Sequence, residues 1–414
     1  MLRYCLPFLF FVFPALLYAQ SNTPARANVQ TSPALKETTR ISNQSGAKLI
    51  ADFYCSSENE NMALSPPSMI SAYSAFAHIA KGKTQKELQK LLFLNGKEKP
   101  AFGTLNDYLS RHRDESSDQY DTSGYFSRGY LLMSNRANDL SSDAKKEIED
   151  KFATTFRLTD FSEADLTAIY KEIVPITKGA FEDVVIEADP DSICVILTAM
   201  NLETSWTWEM KNCDNPLPFK FDKGRQKIPF LKGNVNGYQS VTVNSKSGYL
   251  FPLQENVDMM IVPCKNGTAL KQLAKTISKE GLRINPGRKV LRQTGLYMPT
   301  VCFETEFDFK EYAQAKGCST AFSEEAEFII SDSARLPMYC NEARTMSIFR
   351  VDKQGIELVQ ITVIEFAVAL EEERRIPKDI VIDSPYMMLL TERNLGTVLG
   401  MAFIAAPEYD WEKY

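Results

Sequence analysis

The sequence predicts a single large α+β domain in which helices come first and strands follow. Helical patterns fill the first third of the chain, whereas apolar runs typical of strands follow one another after about residue 190. From Ile41 onward neither a linker nor an internal repeat interrupts the chain. With 414 residues, of which 44% are hydrophobic, the chain is long enough to bury one extensive core.

The elements follow in that order. Residues 67–77 form an Ala- and Ser-rich apolar segment started by prolines, which suit the first turn of a helix. Thr84 and Glu87 have capping-box spacing and predict that the next helix begins at Thr84. Strands are predicted at residues 194–197, 257–262, 295–303, 347–351 and 380–390. This grouping argues against an alternating, doubly wound sheet.

Composition excludes several classes of protein. The chain carries 47 Lys and Arg against 53 Asp and Glu, so its net charge of −6 offers no basic surface for nucleic acid. Its two histidines, His78 and His112, exclude a His-rich metal site, and His78 reads as a packing residue of its apolar helix. We expect no metal and no cofactor.

Motifs for catalysis are equally absent. The chain has no GxSxG, GxxxxGK[ST] or GxGxxG sequence. Ser-x-x-Lys occurs at Ser45 and at Ser142, but the SDN and KTG partners of that chemistry are missing. The sequence therefore predicts that the protein is not an enzyme.

The first residues have the pattern of a secretory signal. Arg3 precedes an apolar run at residues 6–17 that Pro7 and Pro14 interrupt, and Ala19 supplies a small residue for cleavage. The run is shorter than the roughly 20 residues that a membrane span needs. We expect a signal peptide at 1–19, a flexible tail at 20–40, the folded domain at 41–407 and a C-terminal tail at 408–414. The mature protein should be secreted and extracellular, without a membrane segment.

Seven cysteines remain after residue 19, an odd number that leaves at least one thiol unpaired or paired with another chain. They are Cys55, Cys194, Cys213, Cys264, Cys302, Cys318 and Cys340. We interpret most of them as small buried hydrophobes, with one or two bridges that the spacing does not assign. Sequons at Asn43 and Asn266 predict glycosylation at both positions.

Nine segments stand in one order along the chain: 64–70 (LSPPSMI), 80–84 (AKGKT), 177–184 (TKGAFEDV), 197–206 ending in Trp206, 259–263 (MMIVP), 296–299 (LYMP), 317–323, 351–357 (VDKQGIE) and 380–388 (IVIDSPYMM). In this order they resemble the motifs of the serpin family. The resemblance covers about residues 41–407. Thr198, Thr345 and Ala402 depart from the residues that many members carry at these positions.

The resemblance implies a serpin-like domain: helices packed on large mixed and antiparallel sheets, with an exposed reactive loop at about 356–379. It also implies a monomer whose partner is a serine protease. In the family mechanism the protease cleaves the loop, which then inserts as a new strand into the central sheet while the protease is still acylated.

The hinge of this loop leaves two functions open. Family inhibitors carry small side chains after the hinge glycine, whereas here Gly355 is followed by Ile356, Glu357, Leu358 and further bulky residues up to Ile364. Each misfit in a packed sheet costs about 1–3 kcal/mol, which favours a non-inhibitory carrier, storage protein or hormone precursor. β-Branched residues nevertheless form good strands, and co-adapted holes in the sheet would allow insertion and inhibition.

Two bonds compete as the cleavage site. Counting back from Pro385 gives Arg374–Arg375, and counting forward from Gly355 gives Ala369–Leu370. An arginine before the cleaved bond suits the carboxylate pocket of a trypsin-like protease. The acidic run at 371–373 disfavours processing enzymes with acidic subsites. The alternative reading of this charged run is plain solvated loop.

Overall fold

A computed structural model describes residues 32–94, 100–110, 124–135, 137, 142–152, 154–181, 194–222, 224–330, 338–361 and 379–408. Within these residues the helices are α1 (Pro33–Ile41), α2 (Ala47–Ser56), α3 (Pro66–Ile79), α4 (Gly82–Leu91), α5 (Phe102–Leu109), α6 (Ser142–Phe152), α7 (Glu163–Ile173), α8 (Gly267–Glu280) and α9 (Phe309–Ala315). A π-helical segment, Ser42–Gly46, joins α1 to α2, and a 3-10 turn lies at Thr320–Phe322.

The strands are β1 (Asn61–Leu64), β2 (Gly124–Ser134), β3 (Thr154–Thr159), β4 (Cys194–Ser205), β5 (Met210–Asn212), β6 (Leu217–Phe221), β7 (Gly224–Ile228), β8 (Phe230–Val235), β9 (Tyr238–Val243), β10 (Lys246–Pro252), β11 (Val257–Pro263), β12 (Ile284–Val290), β13 (Thr294–Pro299), β14 (Val301–Asp308), β15 (Arg344–Val351), β16 (Gly355–Ile361), β17 (Ile380–Val381), β18 (Tyr386–Glu392) and β19 (Val398–Ile404).

Three large sheets organise these strands. One has six strands in the order β14-β15-β16-β4-β2-β3, another has seven in the order β1-β19-β18-β11-β10-β9-β12, and the third has four in the order β17-β13-β8-β5. Strands β6 and β7 form a separate hairpin. All pairs are antiparallel except β2–β3 and β13–β17. The α+β prediction is confirmed.

Helix α3 lies between the six-stranded and seven-stranded sheets, in contact with β4 on one side and β19 on the other. Every residue of α3 except His78 is buried, which explains why its sequence is apolar all round. The main core therefore lies around this helix. A second, smaller core lies on the opposite face of the six-stranded sheet, beneath α7.

The predicted flexible tail at 20–40 is wrong over its last eight residues. Ser32 caps α1 by accepting a hydrogen bond from the backbone N–H of Leu35 (3.1 Å), and Leu35 is itself buried. At the other end Glu408, predicted to lie in the C-terminal tail, accepts a hydrogen bond from the N–H of Cys302 (2.7 Å). The folded chain thus extends beyond both predicted limits.

The predicted capping box is also wrong. Helix α4 begins at Gly82, two residues early, and the two polar side chains serve another segment instead. Thr84 Oγ1 accepts from the N–H of Glu327 (3.0 Å), and Glu87 Oε2 accepts from the N–H of Thr320 (3.2 Å). The two side chains therefore form hydrogen bonds with a distant segment of the chain instead of capping the helix.

The seven cysteines are all free thiols, so the expected one or two bridges are not formed. Cys264, Cys302 and Cys318 are buried, as small hydrophobes would be. Burial raises the pKa of the Cys264 thiol to about 11 and that of Cys318 to about 12. Protonated, buried thiols of this kind are poor nucleophiles.

Among the described residues no helix is long and apolar enough to cross a membrane.

A buried ion pair links the residue that follows β18 to β11, within the seven-stranded sheet, and gives a test of the fold. Arg393 Nε donates to Asp258 Oδ1 (2.7 Å), and Arg393 Nη2 donates to the carbonyls of Leu253 (2.9 Å) and Val257 (2.7 Å). We expect Arg393→Ala to lower the free energy of unfolding by about 3–5 kcal/mol, because it removes one member of a buried ion pair and the three hydrogen bonds of its guanidinium. Chemical denaturation measures this loss.

The matched control is Arg40→Ala, which breaks an exposed pair with Glu37. Its cost should stay below about 1 kcal/mol. Equal losses for the two variants would contradict the role given to Arg393.

Candidate functional site

The segment expected to begin an exposed loop lies inside the six-stranded sheet. Residues Gly355–Ile361 form β16, which pairs antiparallel with β15 on one side and with β4 on the other. The exposed loop predicted from residue 356 is therefore wrong as far as Ile361, since only Glu357 among residues 356–361 is more than slightly accessible. β15 and β4 run parallel to each other, and β16 separates them.

A tight turn brings the chain from β15 into β16. Asp352 Oδ1 accepts hydrogen bonds from the N–H groups of Gln354 (2.7 Å) and Gly355 (3.2 Å). Trp206 Nε1 donates to the carbonyl of Asp352 (2.9 Å), which anchors the turn to the end of β4. A Cβ at Gly355 would lie 2.1 Å from the carbonyl oxygen of Thr204, so the hinge requires glycine for its close approach to β4.

On the face towards α3, Ile356 and Leu358 belong to the main core. Leu358 is fully buried, and a Cβ at Gly400 of β19 would lie 3.1 Å from its Cδ2 atom. The glycine in the opposing sheet thus leaves the space that this leucine fills. Such a fit removes the misfit cost that small-to-large changes normally carry in a packed core.

On the opposite face, Val359 and Ile361 belong to the smaller core together with Ala199 of β4 and Ile169 and Ile173 of α7. Both loop side chains are at most 2% exposed. Helix α7 therefore covers β16, and this strand completes the core beneath that helix.

The charged residue of the strand, Glu357, lies in a network at the open end of the sheet. Its in-register neighbours are Arg350 on β15 and Glu203 on β4. Arg350 Nη1 lies 3.0 Å from Glu357 Oε2, and Lys178 Nζ lies 3.1 Å from Glu357 Oε1 and 2.7 Å from Glu203 Oε2. The two carboxylates face each other across neighbouring strands, and Lys178 bridges them.

The charge of Lys178 suits this bridging role. Burial alone would lower its pKa, but the carboxylates of Glu203 and Glu357 outweigh it and hold the pKa of Lys178 above its ordinary value. The lysine therefore stays charged while it holds β16 to β4. Its backbone has φ of 52°, in the left-handed region, which turns the chain after α7 back over the sheet.

The candidate cleavage residues Arg374, Arg375, Ala369 and Leu370 lie outside the described residues. His112 and the acidic run at 371–373 do so as well. His78 packs against the ring of Phe152, with 5.3 Å between ring centroids, and burial lowers its pKa. Within the described residues no cluster of three or more His, Cys, Asp or Glu side chains could hold a metal ion.

The two sequons differ in their surroundings. Asn43 Nδ2 donates to the carbonyl of Gly396 (2.8 Å), and Asn43 Oδ1 accepts from the N–H of Val398 (2.8 Å). A glycan on Asn43 would therefore have to share the amide nitrogen with the bond to Gly396. Asn266 caps α8 through its oxygen, which accepts from the N–H of Ala269 (2.9 Å). That bond leaves the amide nitrogen, the atom a glycan would occupy, out of the cap.

Sequence reasoning found the hinge, Gly355 to Leu358, but missed the groups that receive it. Lys178 and Trp206 lay in motifs that the sequence singled out, without a hint of their contacts with the loop. Gly400 and Gln360 gave no signal at all, because their partners lie far away in the chain.

Comparison with known proteins agrees with this architecture. A family model described as Serpin (serine protease inhibitor) matches residues 40–407. Rat neuroserpin is 22% identical over 375 residues, which cover 85% of this chain and 87% of that protein.

Two solved structures share the fold. A cleaved form of Serpin 42Da superposes with a TM-score of 0.68 at 16% identity, covering 91% of this chain and all of that one. Thyroxine-binding globulin in complex with thyroxine gives a TM-score of 0.62 at 17% identity, covering 90% and 99% of the two chains. The chain therefore belongs to the serpins, a family of serine protease inhibitors that also has non-inhibitory members.

Proposed function

We propose that this serpin is a secreted, monomeric suicide substrate of a trypsin-like serine protease, cleaved between Arg374 and Arg375. The serine of the protease attacks the carbonyl of Arg374, the bond to Arg375 breaks, and the loop inserts before water can hydrolyse the acyl ester. The chain itself catalyses nothing and needs no cofactor. The observation that carries this proposal is the strand β16 between β15 and β4.

The fit of β16 supports insertion as a favourable step. Ile356, Leu358, Val359 and Ile361 are each at most 2% exposed. Burying an aliphatic side chain of this size contributes about 1.5–3 kcal/mol, so the four together outweigh a misfit of about 1–3 kcal/mol at one position. The bulk of the hinge is thus a source of stabilisation in a sheet that has space for it.

Strand β4 also extends beyond its described pairing with β16. Pairing of β16 with β4 reaches Ala199 within the described residues, whereas β4 continues to Cys194. Continuing the register would bring Thr362 between Thr345 of β15 and Thr198 of β4. Threonines are good strand residues, and neighbouring threonines on adjacent strands stabilise a sheet. Thr198 and Thr345, which depart from the family pattern, suit this row of three threonines.

A non-inhibitory role is the second candidate, and one observation favours it. The hinge strand is already paired on both sides in a chain that continues to β17. Residues inserted before cleavage add nothing to the free energy released afterwards. A protein that gains little on cleavage would serve as a carrier, a storage protein or a hormone precursor.

Incubation with trypsin-, chymotrypsin- and elastase-like proteases tests the first candidate. We expect an SDS-stable complex of higher mass with the trypsin-like enzyme, because the acyl ester survives when insertion is faster than hydrolysis. Arg374→Ala should abolish that complex, whereas the control Arg375→Ala should still form it, since it keeps the arginine before the cleaved bond.

Mass spectrometry of the released C-terminal fragment identifies the bond. A fragment that begins at Arg375 agrees with the proposal, and one that begins at Leu370 would transfer the site to Ala369 and an elastase-like enzyme. Clean cleavage with full protease activity retained would rule out inhibition.

Thermal unfolding of the cleaved protein measures how much strand remains to be inserted. We expect the melting temperature to rise by about 10 °C or more after cleavage, because the strand lengthens beyond Ile361 with new hydrogen bonds and buried side chains. The control Thr362→Arg should cancel most of the rise, since it carries a charge into the sheet between two threonines. An unchanged melting temperature in the unaltered cleaved protein would favour the non-inhibitory role.

Glycosylation tests the secretory route. When the chain is expressed through a eukaryotic secretory pathway, we expect one N-linked glycan, on Asn266, because the amide of Asn43 is held by the fold. Asn266→Gln should remove the mass shift that glycosidase treatment reveals, and Asn43→Gln should leave it unchanged. A glycan on Asn43 in the folded protein would contradict this assignment.

A further inference from the structure

Three polar side chains of the six-stranded sheet stand in one register row across neighbouring strands. Thr305 of β14 is opposite Ser347 of β15, and Ser347 is opposite Gln360 of β16. All three face the main core and are at most 3% exposed. A row of buried polar groups needs partners, because each one left unsatisfied is costly.

The partners are backbone groups of Ala63 and Ser65, where β1 passes into α3. Thr305 Oγ1 accepts from the N–H of Ala63 (2.8 Å), and Ser347 Oγ donates to the carbonyl of Ala63. Gln360 Oε1 accepts from the N–H of Ser65 (2.8 Å). Each of the three strands β14, β15 and β16 thus contributes one side chain that forms a hydrogen bond with the backbone of the β1–α3 junction.

The junction depends on this help. Ser65 occupies the N-cap position of α3 but its side chain makes no capping hydrogen bond. The next two residues, Pro66 and Pro67, have no N–H to offer to any partner. The N–H of Ser65 is therefore the last backbone donor before that of Ser68, and it is buried with its residue.

We propose that Gln360 is a positioning residue that fixes the register of the inserted loop strand by capping the N–H of Ser65. Thr305 and Ser347 belong to permanent strands, whereas Gln360 belongs to the strand that the loop supplies. A shift of β16 by one residue would turn Gln360 to the opposite face. A shift by two would bring Leu358 or Thr362 to this place, and neither reaches the junction in the same way. The proposal rests on loop insertion as proposed above.

Hydrogen exchange of the intact protein tests the contact without any protease. A peptide from Ala63 to Pro67 reports almost only on Ser65, because its first amides exchange back rapidly and its prolines carry none. We expect this amide to exchange about tenfold faster in Gln360→Leu, since it loses its buried acceptor. The remaining amides of α3 should be unchanged, which a general loss of stability would not allow.

The matched control is Gln354→Leu, the same replacement at an exposed position of the same hairpin. It should leave the exchange of Ser65 as in the unaltered protein. Equal exchange of Ser65 in the unaltered protein and in Gln360→Leu would overturn the inference.

A measurement on the unaltered protein covers the case in which Gln360→Leu does not fold. Ser65 and the amides of residues 356–361 should then respond in parallel to added denaturant, because both are released when β16 leaves the sheet. Exchange of Ser65 well ahead of those amides would overturn the inference, even for a protein that traps its protease. Absence of inhibition with Ser65 coupled to β16 would refute only the proposed function.

Discussion

The structure depends on the double pairing of β16 with two strands that run parallel to each other. The antiparallel strand β16 satisfies the facing edges of both β15 and β4, and the hairpin at Asp352 supplies it without a long connection. Because the turn is short, the direction and the register of the strand are set together. The two cores on either side of the sheet then follow from the alternation of side chains along seven residues.

That alternation explains why a hinge with bulky side chains is compatible with insertion. Gly400 leaves space for Leu358 on one face, while α7 covers Val359 and Ile361 on the other. Small side chains would enter an unadapted sheet more easily, but in this sheet they would leave cavities. The polar residues of β16 also have partners. Glu357 forms ion pairs with Lys178 and Arg350 at the rim of the sheet, and Oε1 of the fully buried Gln360 accepts from the N–H of Ser65.

The order of helices and strands could be predicted because periodicity is local, and the strand at 194–197 and the helix at 67–77 lie where the pattern placed them. The errors share another cause. Thr84 and Glu87 had a local reading as a cap, yet both bind a segment more than 230 residues away. The fit between Leu358 and Gly400 is a relation between distant positions, which one sequence does not reveal.

In the proposed mechanism, pairing before cleavage divides the free energy of insertion into two parts. The part contributed by residues 355–361 stabilises the intact chain and is unavailable for trapping a protease. The part that remains depends on the edge of β4 from Thr198 to Cys194, which lies beyond the described pairing of β16 with β4. Early pairing also makes insertion faster. The first seven residues of the strand are already paired in register, so the strand only has to lengthen from Ile361. The early pairing of β16 therefore lowers the free energy that insertion releases after cleavage, and it also shortens the time that insertion takes. Inhibition requires that insertion remain faster than hydrolysis of the acyl ester.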